Sequence, residues 1–408
     1  MLNICIIMGA GASASSGTPL MHNFLDTTRK LISTKSSLSS RSDSLEKIDK
    51  FRQNLLASFS KATPDIDNIE SLMSLAELQE AVSPHQSPNF NSKAEHEKSI
   101  SSCISEIVAS TIDASQVYAV ENIASVQLAA EAAYSQDWSI VNNQIEIYPS
   151  GFYKEFSKFL NQMRSRKNTN LSVITTNYDM ATEFSALYAG MHVSYPGLLH
   201  RSLVHNYVSP NMPADSRSNF SIYKLHGSVN WFKQEGDEND IFILPAVCIR
   251  DDILNHARGV LSRRGEIRKY SLNIENSIQN HSLTQNEFSL SNSAIIPPTQ
   301  YKMHKNHAIY RHWSKAHHSL QGADVLVILG YSLPISDGHF RSLFTLAMLS
   351  DKILRHVFIV DPSPKTHERW SSLLGEYARS HMTAIHEELS PQNWRTVARG
   401  ISDLLPDS

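Results

Sequence analysis

Several things are scarce in this chain of 408 residues, and each scarcity excludes a class of protein. There are 3 cysteines, Cys5, Cys103 and Cys248, with no CxxC pair among them. An odd, scattered set builds neither a disulfide framework nor a thiolate zinc site. No apolar run is long enough to cross a bilayer, and the apolar N-terminal segment is too short and lacks the basic flank of an export signal, so a cytoplasmic location and no membrane partner are expected. An excess of one charge is also missing: 37 Lys and Arg stand against 40 Asp and Glu, a net charge of −3, so nothing global draws the chain to nucleic acid. The most basic stretch, Arg250, Arg258, Arg263, Arg264, Arg268 and Lys269, is interrupted by Asp251, Asp252 and Glu266 and reads as a solvated face. Histidines crowd at His304, His307, His312, His317 and His318. No carboxylate or cysteine nearby completes a ligand set, so solvent-facing helix histidines and no metal are expected.

Glycine has its own gap, between Gly17 and Gly151. An α/β sheet needs frequent tight turns, so this stretch reads as a helical insertion between the first strand and the rest of the sheet. Thr63-Pro64-Asp65 has the order of an N-cap, a first-turn proline and an early acid. Ile66, Ile69, Leu72, Met73 and Ala76 follow at helical spacing. After a polar loop near residues 83 to 100, Ile104, Ile107, Val108 and Ile112 begin a second helical pattern that runs toward Tyr134. Phe152, Phe156, Phe159, Leu160 and Met163 make a third stripe. These stripes read mainly as core, with part of the surface open to self-association.

What the chain does have is a series of apolar strands with polar or glycine-rich ends. Ile4 to Met8 empties into Gly9-Ala10-Gly11-Ala12-Ser13. Such a turn brings backbone N–H groups close to an anion, and a following helix adds the positive end of its dipole. No Gly-Lys-Ser/Thr follows, which excludes a Walker A loop, and the dinucleotide fingerprint is met only in part. Leu171 to Thr176 ends in Asn177-Tyr178-Asp179, and Ser221 to Leu225 ends in His226-Gly227-Ser228. Asp324 to Leu329 ends in Gly330-Tyr331-Ser332, and His356 to Val360 ends in Asp361-Pro362. Near-continuous apolar runs suit strands buried on both faces of a parallel sheet, and in such sheets ligands bind outside the carboxyl ends. The fold class expected is α/β, a Rossmann-like, mostly parallel sheet. Its units would be residues 1–20 with 151–408, and the inserted 21–150. Residues 232–310 read as an irregular insertion with one strand at Ile241 to Leu244. Trp231 and Tyr331 read as packing.

GAGASASSGTP, TTNYD, KLHGS, LGYSL and VDPSP, in this order and each behind a strand, resemble the sirtuin family, and within it the zinc-free branch found in bacterial antiphage defence. The resemblance implies a sirtuin-like fold that binds NAD. Gly9, Ala10, Gly11 and Ser13, with Ser16 nearby, would then surround the pyrophosphate. Asn177 would stand near the nicotinamide ribose, Asp179 on the carboxamide, and His226 beside the ribose hydroxyls. Gly330 and Ser332 would face the phosphate and adenosine side, and Asp361 the adenosine ribose. Two CxxC pairs forming a zinc ribbon, present in sirtuin deacylases, are missing here, and Pro19 is followed by Leu20-Met21-His22 rather than by an aromatic and an arginine.

That departure removes the acyl-lysine groove and leaves NAD cleavage. Breaking the nicotinamide–ribose bond passes through a sugar cation like that of glycoside hydrolysis, with a leaving group already charged. An amide such as Asn177 can hold a water and a hydroxyl together, and an imidazole such as His226 can take the acceptor's proton. The expected activity is an NAD hydrolase releasing nicotinamide and ADP-ribose. By the resemblance it would act in antiphage defence, gated by assembly with itself or with a HerA-type ATPase. The alternatives are an NAD-dependent deacylase or ADP-ribosyltransferase, and a catalytically silent NAD- or ADP-ribose-binding subunit of a partner ATPase or nuclease. Asx-turn, N-cap and turn-former roles stand as the alternative readings of Asn177, Asp179 and Asp361.

Overall fold

The protein's structure is a computed structural model, which describes residues 1–57, 65–82, 98–123, 145–166, 168–204, 219–234, 237–258, 260–261, 265–281, 288–296 and 307–405. In chain order its strands are β1 (Leu2–Met8), β2 (Tyr118–Asn122), β3 (Ile145–Pro149), β4 (Thr169–Thr175), β5 (His192–Ser194), β6 (His200–Ser202), β7 (Asn219–Lys224), β8 (Gly227–Gln234), β9 (Asp237–Ile243), β10 (Ile267–Tyr270), β11 (Ser293–Ile295), β12 (Val325–Leu329), β13 (His356–Val360) and β14 (Met382–Ile385).

Seven of them form one sheet in the order β14-β13-β12-β1-β4-β7-β5. Every pairing in it is parallel, with Ile4 to Met8 matched to Val325 to Leu329 on one side and Leu2 to Met8 matched to Thr169 to Thr175 on the other. All five residues of β12 are buried, so both its faces are covered, which is why the sequence there is an unbroken Val-Leu-Val-Ile-Leu. β1 lies at the centre: strands added after it go outward through β4 and β7 on one side and through β12, β13 and β14 on the other. The reversal of strand order beside β1 is a topological switch point, where the loops leaving two neighbouring strands part and open a crevice. The α/β, mostly parallel architecture expected from the sequence is therefore present.

A second apolar core lies against this sheet. It joins Phe24, Ile48, Ile69, Met73 and Ile107 of the glycine-free segment to Val229, Phe232, Ile249, Leu254 and Ile274 of the later chain, together with Tyr178 and Phe184. Two smaller sheets belong to this region, β10-β2-β3 and β11-β8-β9-β6.

Several details differ from the sequence reading. The second helical pattern stops at Ser115, and β2 follows at once, antiparallel to β3 and β10, because Tyr118 and Val120 supply β-forming side chains to a buried face. Residues 124–144, toward Tyr134, lie outside the described residues, as do Thr63, Pro64 and most of the 83–100 loop. The N-terminus of the Ile69–Val82 helix is capped instead by Asn68, whose Oδ1 accepts from the amides of Glu70 (2.9 Å) and Ser71 (3.3 Å). The stretch read as irregular carries helices at Ala246–Arg258 and Ile274–His281. Arg250 is buried on an ion pair with Asp251 (2.9 Å) rather than solvated, and His312 is fully buried rather than solvent-facing. The His312 ring accepts from the Lys224 amide (2.9 Å) and meets the Pro196 carbonyl (2.8 Å), and burial pulls its pKa down to about 4.

Candidate functional site

The turn after β1 is built for close approach of backbone. A Cβ on Gly9 would stand 2.6 Å from Tyr331 Cα, one on Gly11 2.9 Å from Gly330 Cα, and Gly330 itself adopts φ +57°. Only glycine tolerates these contacts and that torsion. The amides of Gly9 and Gly11 donate to the carbonyls of Leu329 (3.1 Å) and Gly330 (2.9 Å), and that of Ala12 to Gly9 (2.9 Å). The Gly9 and Gly11 N–H groups thus tie the β1 turn to the β12 tip and that of Ala12 closes the turn on itself, so an anion would have to be met by other donors of the turn. Ser16 is buried and donates to the Ser13 carbonyl (2.7 Å); Ala10 and Gly11 are half-buried.

Asn177 leaves the tip of β4 and crosses to this turn. Its amide nitrogen Nδ2 donates to the Gly9 carbonyl (2.8 Å) and to Ser13 Oγ (3.1 Å), and Ser13 Oγ meets Tyr153 OH (2.9 Å). Since the Gly9 oxygen can only accept, the orientation of the carboxamide is determined: both N–H groups point at the protein and the Oδ1 acceptor remains. Asp179 is buried. Its Oδ1 accepts from the Ala181 amide (2.9 Å) at the start of the Ala181–Tyr188 helix, the capping role, while its buried Oδ2 finds no hydrogen-bond partner among the described residues. A buried carboxylate oxygen left without a donor is costly and marks a place where a donor can be received. Below it the Lys224 ammonium donates to the Asp179 carbonyl and to Glu183 (2.9 Å), with both side chains of the ion pair fully buried.

His226, at the tip of β7, is 2% exposed and stands between two carboxylates. Nε2 is 3.5 Å from Asp337 Oδ2, and Nδ1 is 4.0 Å from Glu70 Oε1. Neither ring nitrogen makes a hydrogen bond among the described residues. Asp337 caps the Gly338–Met348 helix, its Oδ1 accepting from the Phe340 amide (3.2 Å), and its Oδ2 accepts from the Tyr331 hydroxyl (2.5 Å). Burial opposes charge on the imidazole, but Asp337 and Glu70 outweigh it and hold the pKa above its ordinary value. Burial likewise opposes charge on Asp337, yet His226 and Tyr331 keep its carboxyl below the usual range, whereas burial pushes that of Glu70 up.

The remaining candidates sit one strand further along. Gly330 donates to the Val360 carbonyl (2.9 Å). Ser332 is exposed, and its carbonyl accepts from Arg369 (3.0 Å). Asp361 forms the turn its alternative reading described: Oδ1 accepts from the Ser363 amide (2.9 Å), and its carbonyl meets His367 Nε2 (2.7 Å). The structure thus brings Gly9, Ser13 and Asn177 into direct contact, with Gly11 and Gly330 packed on them. It joins His226 to Tyr331 of the same turn through Asp337, and it leaves Ser332 and Asp361 on the flank. Tyr331, read as packing, does pack on Phe340 and Trp370 but also holds Asp337; Trp231 is packing, edge-on to Tyr195. Sequence reading missed Asp337, Glu70 and Tyr153. An aspartate before a glycine-started helix is a cap signal, and a glutamate in a first helical turn is a dipole signal, so neither announces a partner from another segment.

Among the described residues no group of three or more His, Cys, Asp or Glu side chains is arranged to hold a metal ion, and no helix is long and apolar enough to cross a membrane. No protein-family model matches the sequence, and no curated protein matches it. Solved structures do align with the chain. A Sir2 homologue bound to ADP-ribose aligns at 12% identity and TM-score 0.36 over 99% of this chain and 94% of that one. Sir2Tm bound to a propionylated peptide aligns at 12% identity and TM-score 0.34 over 98% and 93%. A Sir2 complex with an inhibitor, 2′-O-acetyl-ADP-ribose and a deacetylated peptide aligns at 11% identity and TM-score 0.35 over 98% and 94%.

Proposed function

We propose that the protein is a sirtuin-like NAD hydrolase that releases nicotinamide and ADP-ribose. The observation that carries this reading is that the carboxyl ends of two neighbouring parallel strands, β4 and β7, carry an amide clamped by the β1 turn (Asn177 on Gly9 and Ser13) and a histidine flanked by two buried carboxylates (His226 between Asp337 and Glu70). Cleavage of the nicotinamide–ribose bond builds positive charge on the sugar, and buried carboxylates stabilise a cation where water is excluded. The Asn177 Oδ1 acceptor would hold a hydroxyl or the attacking water, and the imidazole would take its proton. The unpartnered Asp179 Oδ2 suits the NH₂ of a carboxamide. On the sequence resemblance, Gly9, Ala10, Gly11 and Ser13, with Ser16 nearby, would surround the pyrophosphate, with Gly330 and Ser332 on the phosphate and adenosine side and Asp361 at the adenosine ribose.

The absence of CxxC pairs from the whole sequence favours hydrolysis over deacylation. A free enzyme of this kind would exhaust its host's NAD, and a catalytic imidazole only 2% exposed suits a gated state. We assign the gate to assembly, with a second copy or a HerA-type ATPase, and the role to antiphage defence.

The test is release of nicotinamide from NAD by the full chain, alone and with the candidate ATPase, in wild type, Asn177→Ala and His226→Ala. Loss of turnover in both variants is the expected result. Turnover indifferent to both substitutions defeats the assignment, and turnover that requires an acylated peptide transfers the protein to the deacylases.

A further inference from the structure

His226 is the only site residue with a carboxylate at each ring nitrogen, and the two acids arrive from opposite directions in the chain. Asp337 is rigidly set: one oxygen caps the Gly338–Met348 helix and the other takes the Tyr331 hydroxyl. Glu70 comes from the first turn of the Ile69–Val82 helix, in the glycine-free segment, 156 residues before the histidine it faces. It is buried, and Asn68 holds its backbone amide, so its carboxylate is delivered by a capped helix rather than by a loop. Tyr178 lies beside the imidazole, ring centroids 6.3 Å apart; Glu77 of the Ile69–Val82 helix acts on Tyr178, and Arg341 of the Gly338–Met348 helix acts on Tyr331.

We propose that Asp337 and Glu70 are positioning residues for His226, Asp337 as the fixed carboxylate that orients the imidazole through Nε2 and Glu70 as the second carboxylate that completes the clamp from the Nδ1 side. The proposal rests on His226 being the base of the reaction proposed above. One positive imidazolium cannot match two carboxylates. Burial raises the Glu70 carboxyl while Asp337 is held low, so Asp337 keeps its charge more readily and is the main counter-charge of the imidazolium. The inserted segment is thereby part of the catalytic site: whatever reseats its Ile69–Val82 helix changes the proton affinity of a residue on the main sheet.

The test follows the His226 imidazole by NMR in the histidine-labelled full chain, assigned against His226→Asn, beside the pH dependence of nicotinamide release. Asp337→Asn removes the nearer carboxylate. The imidazole midpoint is expected to fall, and the acid limb of the kcat profile to move to lower pH with it. kcat should drop about tenfold, while KM stays close to wild type. Glu70→Gln, of equal size, is expected to move midpoint and limb the same way by less. Tyr331→Phe frees Asp337 Oδ2 for the ring and should move both upward, a reversal that general loosening of the site does not produce. Should Asp337→Asn lose its cooperative melt, the other two variants carry the decision. Midpoints that superimpose on wild type in the folded variants overturn the clamp. Midpoints that shift as stated in a protein that leaves NAD intact retain the clamp and reject the hydrolase reading instead.

Discussion

The two halves of the crevice are built on opposite principles. On the β1–β4 side, Gly9, Ser13, Tyr153 and Asn177 are neutral and linked by hydrogen bonds. In the second group, His226, Asp337 and Glu70 are ionisable and buried, and among the described residues neither histidine nitrogen makes a hydrogen bond. Neutral networks in a dry interior specify geometry at little electrostatic cost, whereas buried charges store unfavourable energy that a ligand or a proton can relieve. The first half is a frame, and the second is where chemistry can be driven.

The largest effects are expected where each half is broken outright. His226→Ala or Asn177→Ala should lower nicotinamide release by about 10²–10⁴-fold, and His226→Ala should lower the melt most where the imidazole is charged, because Asp337 and Glu70 lose their counter-charge. Asn177→Ala should lower the melt at every pH, by roughly 1 kcal/mol, because the Gly9 carbonyl and the Ser13 hydroxyl each lose one of their two partners. If the loss of melt in His226→Ala is as independent of pH as that in Asn177→Ala, the division into frame and chemistry is wrong.

Next come the glycines that press the β1 turn on the β12 tip. Gly9→Ala would place a Cβ 2.6 Å from Tyr331 Cα, and Gly330→Ala would add a clash at φ +57°. Each should cost roughly 1–3 kcal/mol in chemical denaturation, with activity falling because the carbonyl holding Asn177 moves. Gly375→Ala, which meets nothing within 4 Å, is the control and should be near neutral.

A gentler probe is pH. The lowered Asp337 carboxyl contributes stability that is present above the ordinary carboxylate value and lost as pH falls through its folded one. The raised His226 imidazole contributes stability that is complete below the ordinary imidazole value and lost as pH rises through its folded one. Glu70 runs the other way, its raised carboxyl costing stability once ionised. The gap in melting temperature between wild type and Asp337→Asn should therefore be widest at roughly pH 4–6.5 and narrow on both sides. A gap independent of pH would place the effect in packing.

The smallest effect concerns the inserted segment. Its proposed separation as residues 21–150 is one of chain topology, because its apolar residues share a core with Val229, Ile249 and Ile274. The segment expressed alone is expected to show no cooperative melt; a sharp transition would make it a domain in its own right.

Strands buried on both faces were legible because a parallel sheet forces continuous apolar runs, as at Val325 to Leu329 and His356 to Val360. The short edge strands His192–Ser194 and Met382–Ile385 were not, since exposed or half-exposed edges of three and four residues carry no such pattern. The start of the Ile100–Ser115 helix was readable from its apolar spacing, but its end was not, because nothing in Gln116-Val117 announces a strand whose partners, Ile147 and Arg268 at Val120, are 27 and 148 residues away. Arg250 and His312 were misplaced to the surface because burial of a polar side chain depends on partners, Asp251 for one and the Lys224 amide for the other, that only folding supplies.

The amino-acid order alone determined the parallel sheet and the polar tips of its strands, those with Asn177 and His226 among them, because period, apolar content and turn chemistry are local properties of a chain. Tertiary structure alone decided that the glycines of the first turn bind the neighbouring strand's tip, that Asn177 is held by Gly9 and Ser13, and that Glu70 and Asp337 meet at one imidazole. Those outcomes are distances between segments far apart in the chain, and in a close-packed interior distance sets both the hydrogen bond and the charge.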